Sequence, residues 1–134
     1  FNILPCLKGK IMLYGEELIK NAKLEAVDNP AKQRNYTIDF TCPEFTCLCP
    51  RSGFPDFATI KISYVPDQKI VELKSLKLYI NSFRDKHIFH ETVANQILDD
   101  LIKILDPWEI EVVGDFNVLG NIKTIITAKH KKNT

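Results

Sequence analysis

The chain has 134 residues, of which 45% are hydrophobic and 26% are charged, with a formal net charge of +1 at pH 7. These values are ordinary for one globular domain, so we expect a single domain over residues 1–134 with a real core. The small net charge argues against general nucleic-acid affinity, which needs a basic excess. No apolar run approaches the ~18 residues that span a bilayer, and the N-terminal residues lack the apolar core of a signal peptide. We therefore expect a cytoplasmic protein with no membrane span and no direct nucleic-acid partner.

Alternating polar and apolar residues predict the first strands. Residues 37–41 alternate, and residues 57–64 alternate more clearly before the turn signal Pro66-Asp67. This turn should begin a return strand over residues 69–72. Between the first two strands we predict a loop that is stiffened by three prolines, Pro43, Pro50 and Pro55.

Two amphipathic helices are predicted in the middle of the chain. Apolar residues recur at helical spacing over residues 75–83, and a stronger repeat covers residues 93–105. The pair Asp106-Pro107 should end the second helix.

The C-terminal part predicts two more strands, over residues 110–113 and 122–127, separated by residues 114–120. Residues 129–134 are basic and are predicted to be a frayed tail. The order is strand, strand, helix, helix, strand, strand, without strand–helix alternation. This order predicts an α+β fold, an antiparallel four-stranded sheet with two helices on one face.

The chain has four cysteines, Cys6, Cys42, Cys47 and Cys49. We expect reduced thiols, because a domain with a core of this size needs no disulfides. A cysteine attacks only as its thiolate, whereas a buried structural cysteine needs no lowered pKa, and buried thiols are the commoner case. Three of the cysteines with His90 could also bind zinc, but their spacing is not that of a structural zinc knuckle. No metal site is therefore predicted.

Three polar clusters accompany the cysteines. Asp56 enters the second strand, which would hold its carboxyl group rigidly, although turn capping is its ordinary role. The pair His90-Glu91 lies where the second helix opens, and a glutamate there also favours the helix dipole. Glu72, Lys74 and Lys77 fit a solvated helix start. Each cluster alone allows both a structural and a functional interpretation.

In combination, these motifs resemble the nitrile reductases of queuosine biosynthesis, of the single-domain QueF type. The segment Glu72-Leu73-Lys74-Ser75-Leu76-Lys77-Leu78-Tyr79 matches the family's signature octapeptide throughout. The resemblance covers residues 36–122. Its shorter matches are Cys42–Thr46, Leu48–Pro50, Gly53, Pro55–Ile60, Ser82–Arg84, Phe89–Glu91 and Asp106-Pro107.

The resemblance implies the tunnelling fold of GTP cyclohydrolase I, in which small α+β units assemble into barrels with sites between subunits. It implies a symmetric homo-oligomer, a decamer of two stacked pentameric rings. It also implies the reduction of 7-cyano-7-deazaguanine (preQ0) to 7-aminomethyl-7-deazaguanine (preQ1), with two NADPH, in tRNA queuosine biosynthesis.

The same resemblance implies roles for individual residues. Cys49 would attack the nitrile carbon, Asp56 would protonate the nitrile nitrogen to give a covalent thioimide, and His90 would shuttle protons in later steps. Glu91 would accept the two donors on the edge of the base. The other expected substrate contacts are Val71, Glu72, Leu73 and His90. The expected contacts to the cofactor phosphates are Lys74, Lys77 and Arg84.

One departure from the family concerns the loop where many members carry Pro-Arg-Gly-Gly. Here it is Val118-Leu119-Gly120-Asn121, so a positive charge is missing at Leu119, and Lys123 or the tail would have to compensate. No GxGxxG occurs, so the dinucleotide would not be held as in a Rossmann domain. The alternatives are a zinc-dependent cyclohydrolase-like enzyme and a non-catalytic binding relative on the same fold.

Overall fold

Two antiparallel sheets and three α-helices form the regular structure of residues 12–133, the part of the chain that this computed structural model describes. Cys6 lies outside the described residues. The helices are α1 (Tyr14–Lys20), α2 (Leu73–Asn81) and α3 (His90–Leu105), and a 3-10 turn covers Ser82–Asp85. The strands are β1 (Ala26–Asp28), β2 (Ile38–Leu48), β3 (Pro55–Val65), β4 (Lys69–Val71), β5 (Glu109–Leu119) and β6 (Ile122–Lys131).

The main sheet has four strands in the order β2-β3-β5-β6, and all neighbours are antiparallel. Alternate residues of β3 and β5 are buried, as expected for strands with one face on a core. Helix α3 packs against β5 and β6, and α2 and the 3-10 turn pack against β2. The predicted α+β class with an antiparallel sheet is confirmed.

The predicted return strand exists, but its partner differs from the one expected of a hairpin. Strand β4 pairs with β1, with Val71 opposite Ala26, in a separate two-stranded sheet. The physical reason is that β3 already has β2 on one edge and β5 on the other, so neither edge is free for β4. Strand β1 and helix α1 were not predicted, since three and seven residues are too few to show a period.

Strand β2 is longer than the alternating segment suggested, and the predicted proline-rich loop is correspondingly shorter. Cys42 is opposite Ile60 and Phe45 is opposite Ala58, so β2 holds one residue more than β3 between these pairs. This is a β-bulge, and it contains Pro43. Since β2 is an edge strand of the sheet, a proline there need not interrupt the ladder.

The hairpin between β5 and β6 is also tighter than predicted. Its two turn residues, Gly120 and Asn121, have positive φ values of 54° and 71°, the conformation of a two-residue hairpin turn. Residues 114–119, predicted as part of a connection, therefore continue strand β5.

The predicted frayed tail is wrong as far as residue 132. Strand β6 runs to Lys131, and the ammonium group of Lys132 lies 2.6 Å from the Asp67 carboxylate and 3.2 Å from that of Asp106. It also lies 4.5 Å from the centre of the Trp108 ring. These contacts fasten the chain end to the turn after β3 and to the end of α3.

The limits of α3 agree with the sequence. The helix begins at His90 and ends at Leu105, because Asp106 adopts a left-handed conformation with φ 44° before Pro107. Within residues 12–133, no helix is long and apolar enough to cross a membrane.

A substitution at Gly114 tests the packing of the main sheet. A Cβ atom at Gly114 would lie 2.9 Å from Cε1 of Phe116, whose ring is fully buried, so Gly114→Ala must displace that ring. We expect a loss of about 1–3 kcal/mol in the free energy of unfolding, measured by urea titration.

Gly15→Ala is the matched control, because a Cβ at Gly15 meets nothing within 4 Å and the residue lies inside α1. Its stability should be equal to or greater than that of the wild type. Equal stability of Gly114→Ala and the wild type would contradict the packing described here.

Candidate active site

The β2–β3 hairpin and the start of α3 bring three predicted catalytic residues together. Cys47 on β2 lies opposite Asp56 on β3, and Cys49 follows two residues after Cys47. Side chains two residues apart along an extended chain point to the same side, so Cys49 is directed towards the side that carries Asp56. The connecting loop is closed by hydrogen bonds from Cys49 N to Phe54 O (2.8 Å) and from Gly53 N to Cys49 O (2.9 Å).

Asp56 and His90 form a direct pair. Oδ2 of Asp56 lies 3.1 Å from Nε2 of His90, and the two side chains are 10% and 18% exposed. The His90 ring also stacks on Phe116, with ring centres 3.8 Å apart and planes 9° from parallel. The two side chains are therefore held in a defined geometry, which proton transfer between them would require.

The surroundings of Cys49 favour its thiolate. The pKa of this thiol is lowered, first by a hydrogen bond from the Ser52 side chain and then by the backbone N–H groups of Ser52 and Arg51. Partial burial and the negative charge of Asp56 act in the opposite direction but are smaller. A lowered pKa is the property that separates a reactive thiol from a structural one.

The other two cysteines within residues 12–133 have the opposite property. Cys47 is fully buried, and burial, followed by the charges of Asp56 and Cys49, raises its pKa to about 11. Burial also raises the pKa of Cys42. All three thiols are free, as expected, and only Cys49 combines access with a lowered pKa.

No group of three or more His, Cys, Asp or Glu side chains in the described part of the chain is arranged to hold a metal ion.

Glu72, the first residue of the signature octapeptide, forms hydrogen bonds that support the local structure. Both carboxylate oxygens of Glu72 accept hydrogen bonds at the start of α2, from the backbone N–H groups of Lys74 and Ser75, each at 2.8 Å. The Glu72 N–H donates to Glu25 O (2.9 Å). Glu72 is thus the N-cap of α2, which explains why the helix begins at Leu73, two residues before the apolar repeat.

The expected substrate contacts fall into two groups that one chain does not bring together. The Val71 N–H donates to the Tyr64 hydroxyl (3.1 Å), near the end of β3, whereas Asp56 lies near its beginning. Eight residues of strand at ~3.3 Å each separate Tyr64 from Asp56 by about 26 Å. Val71 and the neighbouring Glu72 therefore lie towards the opposite end of β3 from Asp56 of the same chain, whereas Leu73 lines a cavity with Thr46 of β2, and Glu91 is exposed and adjoins His90.

The expected cofactor contacts are also divided. Lys77 and Arg84 line a cavity of about 390 Å³ between α2 and β2, whose apolar wall includes Phe40, Leu73 and Ile80. Lys74 lines a different cavity of about 600 Å³, together with Glu72 and residues of α1. Leu119 is half exposed at the end of the β5–β6 hairpin.

Two residues of this region were not predicted from the sequence. The Phe116 ring stacks on the His90 ring, and the Ser52 N–H contacts the Cys49 sulfur. Phe116 is 26 residues from its partner, and no sequence period connects them. The position of Ser52 near the sulfur could have been predicted, because Ser52 lies three residues after Cys49 and next to Gly53, in the short loop between β2 and β3.

The thiols should differ in reactivity with iodoacetamide at pH 7. We expect Cys49 to be alkylated on the order of tenfold faster than Cys42, since alkylation requires the thiolate and only Cys49 has a lowered pKa. Cys47 should remain unmodified in the folded protein. Peptide mass mapping at timed intervals measures all three thiols in one sample, and equal rates at Cys42 and Cys49 would contradict the assignment.

The chain is similar to known proteins over most of its length. The family model described as QueF-like protein matches residues 55–134. The chain is 53% identical over 127 residues to the NADPH-dependent 7-cyano-7-deazaguanine reductase of Aquifex aeolicus, covering 95% of this chain and 98% of the relative. It is 52% identical over 123 residues to the reductase of the same name from Thermosynechococcus vestitus, covering 92% and 93%.

A solved structure supports the same fold at lower identity. The archaeosine synthase QueF-Like in the apo form has 17% sequence identity and a TM-score of 0.64, over 75% of this chain and 96% of that chain. This likeness concerns the fold alone. The identity to curated relatives exceeds 50% over most of the length of both chains, and the family model matches more than half of this chain. The chain therefore belongs to the QueF family.

Proposed function

We propose that this chain reduces the nitrile of preQ0 to the primary amine of preQ1, using two NADPH, in queuosine biosynthesis. The observation that carries the proposal is the thiol of Cys49, with its lowered pKa, on the same hairpin end as the buried Asp56–His90 pair. The names of the relatives supply the substrate and the reductant.

The first step joins the substrate to the protein. The Cys49 thiolate adds to the nitrile carbon and forms a C–S bond, and one π bond of the nitrile breaks, with its electron pair moving to nitrogen. That nitrogen takes a proton from Asp56, which becomes the carboxylate. The product is a neutral thioimide, a far better hydride acceptor than the nitrile once it is protonated. His90 Nε2, 3.1 Å from Asp56, can pass the next proton to the carboxylate.

Conversion of the nitrile to the amine needs two hydrides and two protons in total, and one of these protons is taken up in the first step. NADPH, when bound, supplies the hydrides. Cys49 leaves as the thiolate when the C–S bond breaks, so the hydrogen bonds that lower its pKa also favour this departure. Asp56 and His90 deliver the protons to nitrogen.

The residues that line the cavity between α2 and β2 have the chemical properties that a dinucleotide site requires. Lys77 and Arg84 place two positive charges beside an apolar wall, which suits phosphates attached to flat rings. We assign the phosphate contacts to these two residues. Lys74 lines the cavity beside α1 and would contact a different part of the ligand.

Recognition of the base is assigned to Glu91. The edge of a deazaguanine carries a ring N–H and an exocyclic amine, both donors, and one carboxylate can accept from both. Glu91 is exposed and follows His90 at the start of α3, so a base that it holds lies on the same side as the catalytic pair. A site of this kind rejects bases that lack these donors.

We assign the substrate contacts of Val71 and Glu72 to a second copy of the chain. Val71 binds Tyr64, which lies about 26 Å along β3 from Asp56, a separation set by strand length. Strands β2 and β6 are the edges of the main sheet, and pairing them between copies would close a barrel. We propose the tunnelling-fold assembly, two stacked pentameric rings with sites between subunits.

Incubation with preQ0 in the absence of NADPH tests the function. Intact mass spectrometry should show an adduct of one preQ0 per chain, because the thioimide cannot proceed without hydride. Cys49→Ala should form no adduct, since attack requires this thiolate. Cys42→Ala is the matched control and should retain it, because Cys42 is a thiol with a raised pKa in the same strand region. Persistence of the adduct in Cys49→Ala would refute the proposal.

Asp56→Asn in the same experiment separates attack from proton donation. The amide keeps the shape of the carboxyl group but has no acidic proton to give, so we expect the adduct to form at least ~10²-fold more slowly. Adduct formation at the wild-type rate would remove Asp56 from the first step.

Mixed oligomers test whether the site lies between subunits. We expect Cys49→Ala and Glu72→Gln to be inactive alone, the second because it loses a charge while an amide oxygen can still cap α2. Random mixing in equal amounts should restore up to about a quarter of wild-type activity, since that share of interfaces pairs an intact Cys49 with an intact Glu72.

The control mixture is Cys49→Ala with Asp56→Asn. These residues lie on one hairpin of one chain, so no site in the mixture has both, and no activity should return. Failure of the first mixture, with mixing proved by differently tagged subunits, would place Glu72 and Cys49 in the same chain's site.

A further inference from the structure

Ser52 lies in the loop of residues 49–54 that joins β2 to β3, three residues after Cys49. Its backbone nitrogen is 3.5 Å from the Cys49 sulfur and donates to it. Its side-chain oxygen accepts a hydrogen bond from the Phe54 N–H at 3.1 Å. The serine is thus fixed at both its backbone and its side chain beside the sulfur.

The loop conformation makes these contacts possible. Gly53 has a φ of 76°, a conformation that residues with a side chain rarely adopt, and it turns the chain back so that its N–H reaches Cys49 O at 2.9 Å. The Cys49 N–H in turn donates to Phe54 O. By accepting from the Phe54 N–H, the Ser52 hydroxyl holds the loop in the conformation that presents the Ser52 N–H to the sulfur.

We propose that Ser52 positions the Cys49 sulfur and stabilises it as the thiolate through its backbone N–H, which its hydroxyl holds in place by accepting from the Phe54 N–H. The inference rests on the proposed role of Cys49 as the nucleophile and adds a second residue to that step. The negative charge is on sulfur before the C–S bond forms and again after it breaks. The same donor therefore assists both attack and departure, and its hydrogen bond loses strength while the sulfur is bound to carbon.

The charges around the loop make such donors necessary. The carboxylate of Asp56 raises the pKa of the Cys49 thiol, as does partial burial, and the Ser52 side chain is the largest contribution that lowers it. Other titratable or charged groups on the elements that meet at this loop are Cys47 on β2, Arg51 in the loop, Lys86 and His87 beside Leu48, and His90 on α3.

The test is the pH dependence of Cys49 alkylation by iodoacetamide, without substrate or NADPH. In Ser52→Ala we expect the pH midpoint to rise by about one unit, because the loop loses the acceptor for the Phe54 N–H that holds the Ser52 N–H against the sulfur. The rate at neutral pH should fall only about threefold to fourfold, since a more basic thiolate is also a better nucleophile. Ser52→Thr keeps the hydroxyl and should stay near the wild-type midpoint.

Cys42 in the same molecules serves as the internal control, and its alkylation profile should be the same in all three proteins. An unchanged midpoint in Ser52→Ala would overturn the inference, whatever the melting temperature does, and so would a Ser52→Thr midpoint that matches Ser52→Ala. The result does not depend on nitrile reduction. If wild type forms no preQ0 adduct but Ser52→Ala still shifts the midpoint, the proposed function fails and the role of Ser52 stands.

Discussion

The pairing of Cys47 with Asp56 is the constraint on which the rest of the site depends. Because side chains alternate along a strand, a slip of one residue between β2 and β3 would turn either Cys47 or Asp56 to the opposite face and separate Cys49 from the acid. The register is held by burial, since Phe45, Ala58 and Ile60 on the same face are each at most 2% exposed. Cys49 and Asp56 are thus aligned with each other by a hydrophobic core.

Opposing electrostatic effects act on the Cys49 thiol. A carboxylate at Asp56 raises the pKa of the Cys49 thiol, so the thiolate and the carboxylate disfavour each other. Ser52 and the loop N–H groups stabilise negative charge on sulfur, and His90 lies 3.1 Å from the acid. The thiolate of Cys49 is therefore favoured by the loop and disfavoured by the acid, and the contributions from the loop are the larger.

The sequence predicted local structure well and long-range structure poorly. Helix α3 was evident from its apolar repeat and its Asp106-Pro107 ending, because both signals are local. Pro43 concealed the continuation of β2, since only its place in a bulge on an edge strand makes a proline acceptable there. The partner of β4 depended on which edges of β3 were free, which no local pattern records. In the site, Cys49, Asp56 and His90 were named and do converge, although their chemical roles stay proposals, whereas Phe116 is placed by packing alone.

Strand β3 also limits what one chain can do. Asp56 is near its beginning and Tyr64, which binds the Val71 N–H, is near its end, so side-chain motion cannot close a gap of about 26 Å. Loop motion cannot close it either, because β4 is anchored to β1 and Glu72 caps α2 with both carboxylate oxygens. If Val71 and Glu72 contact the same substrate as Asp56, they must belong to a neighbouring copy. Under the proposed function, assembly is then a condition of catalysis, and the two free edges of the sheet are the surfaces through which it would occur.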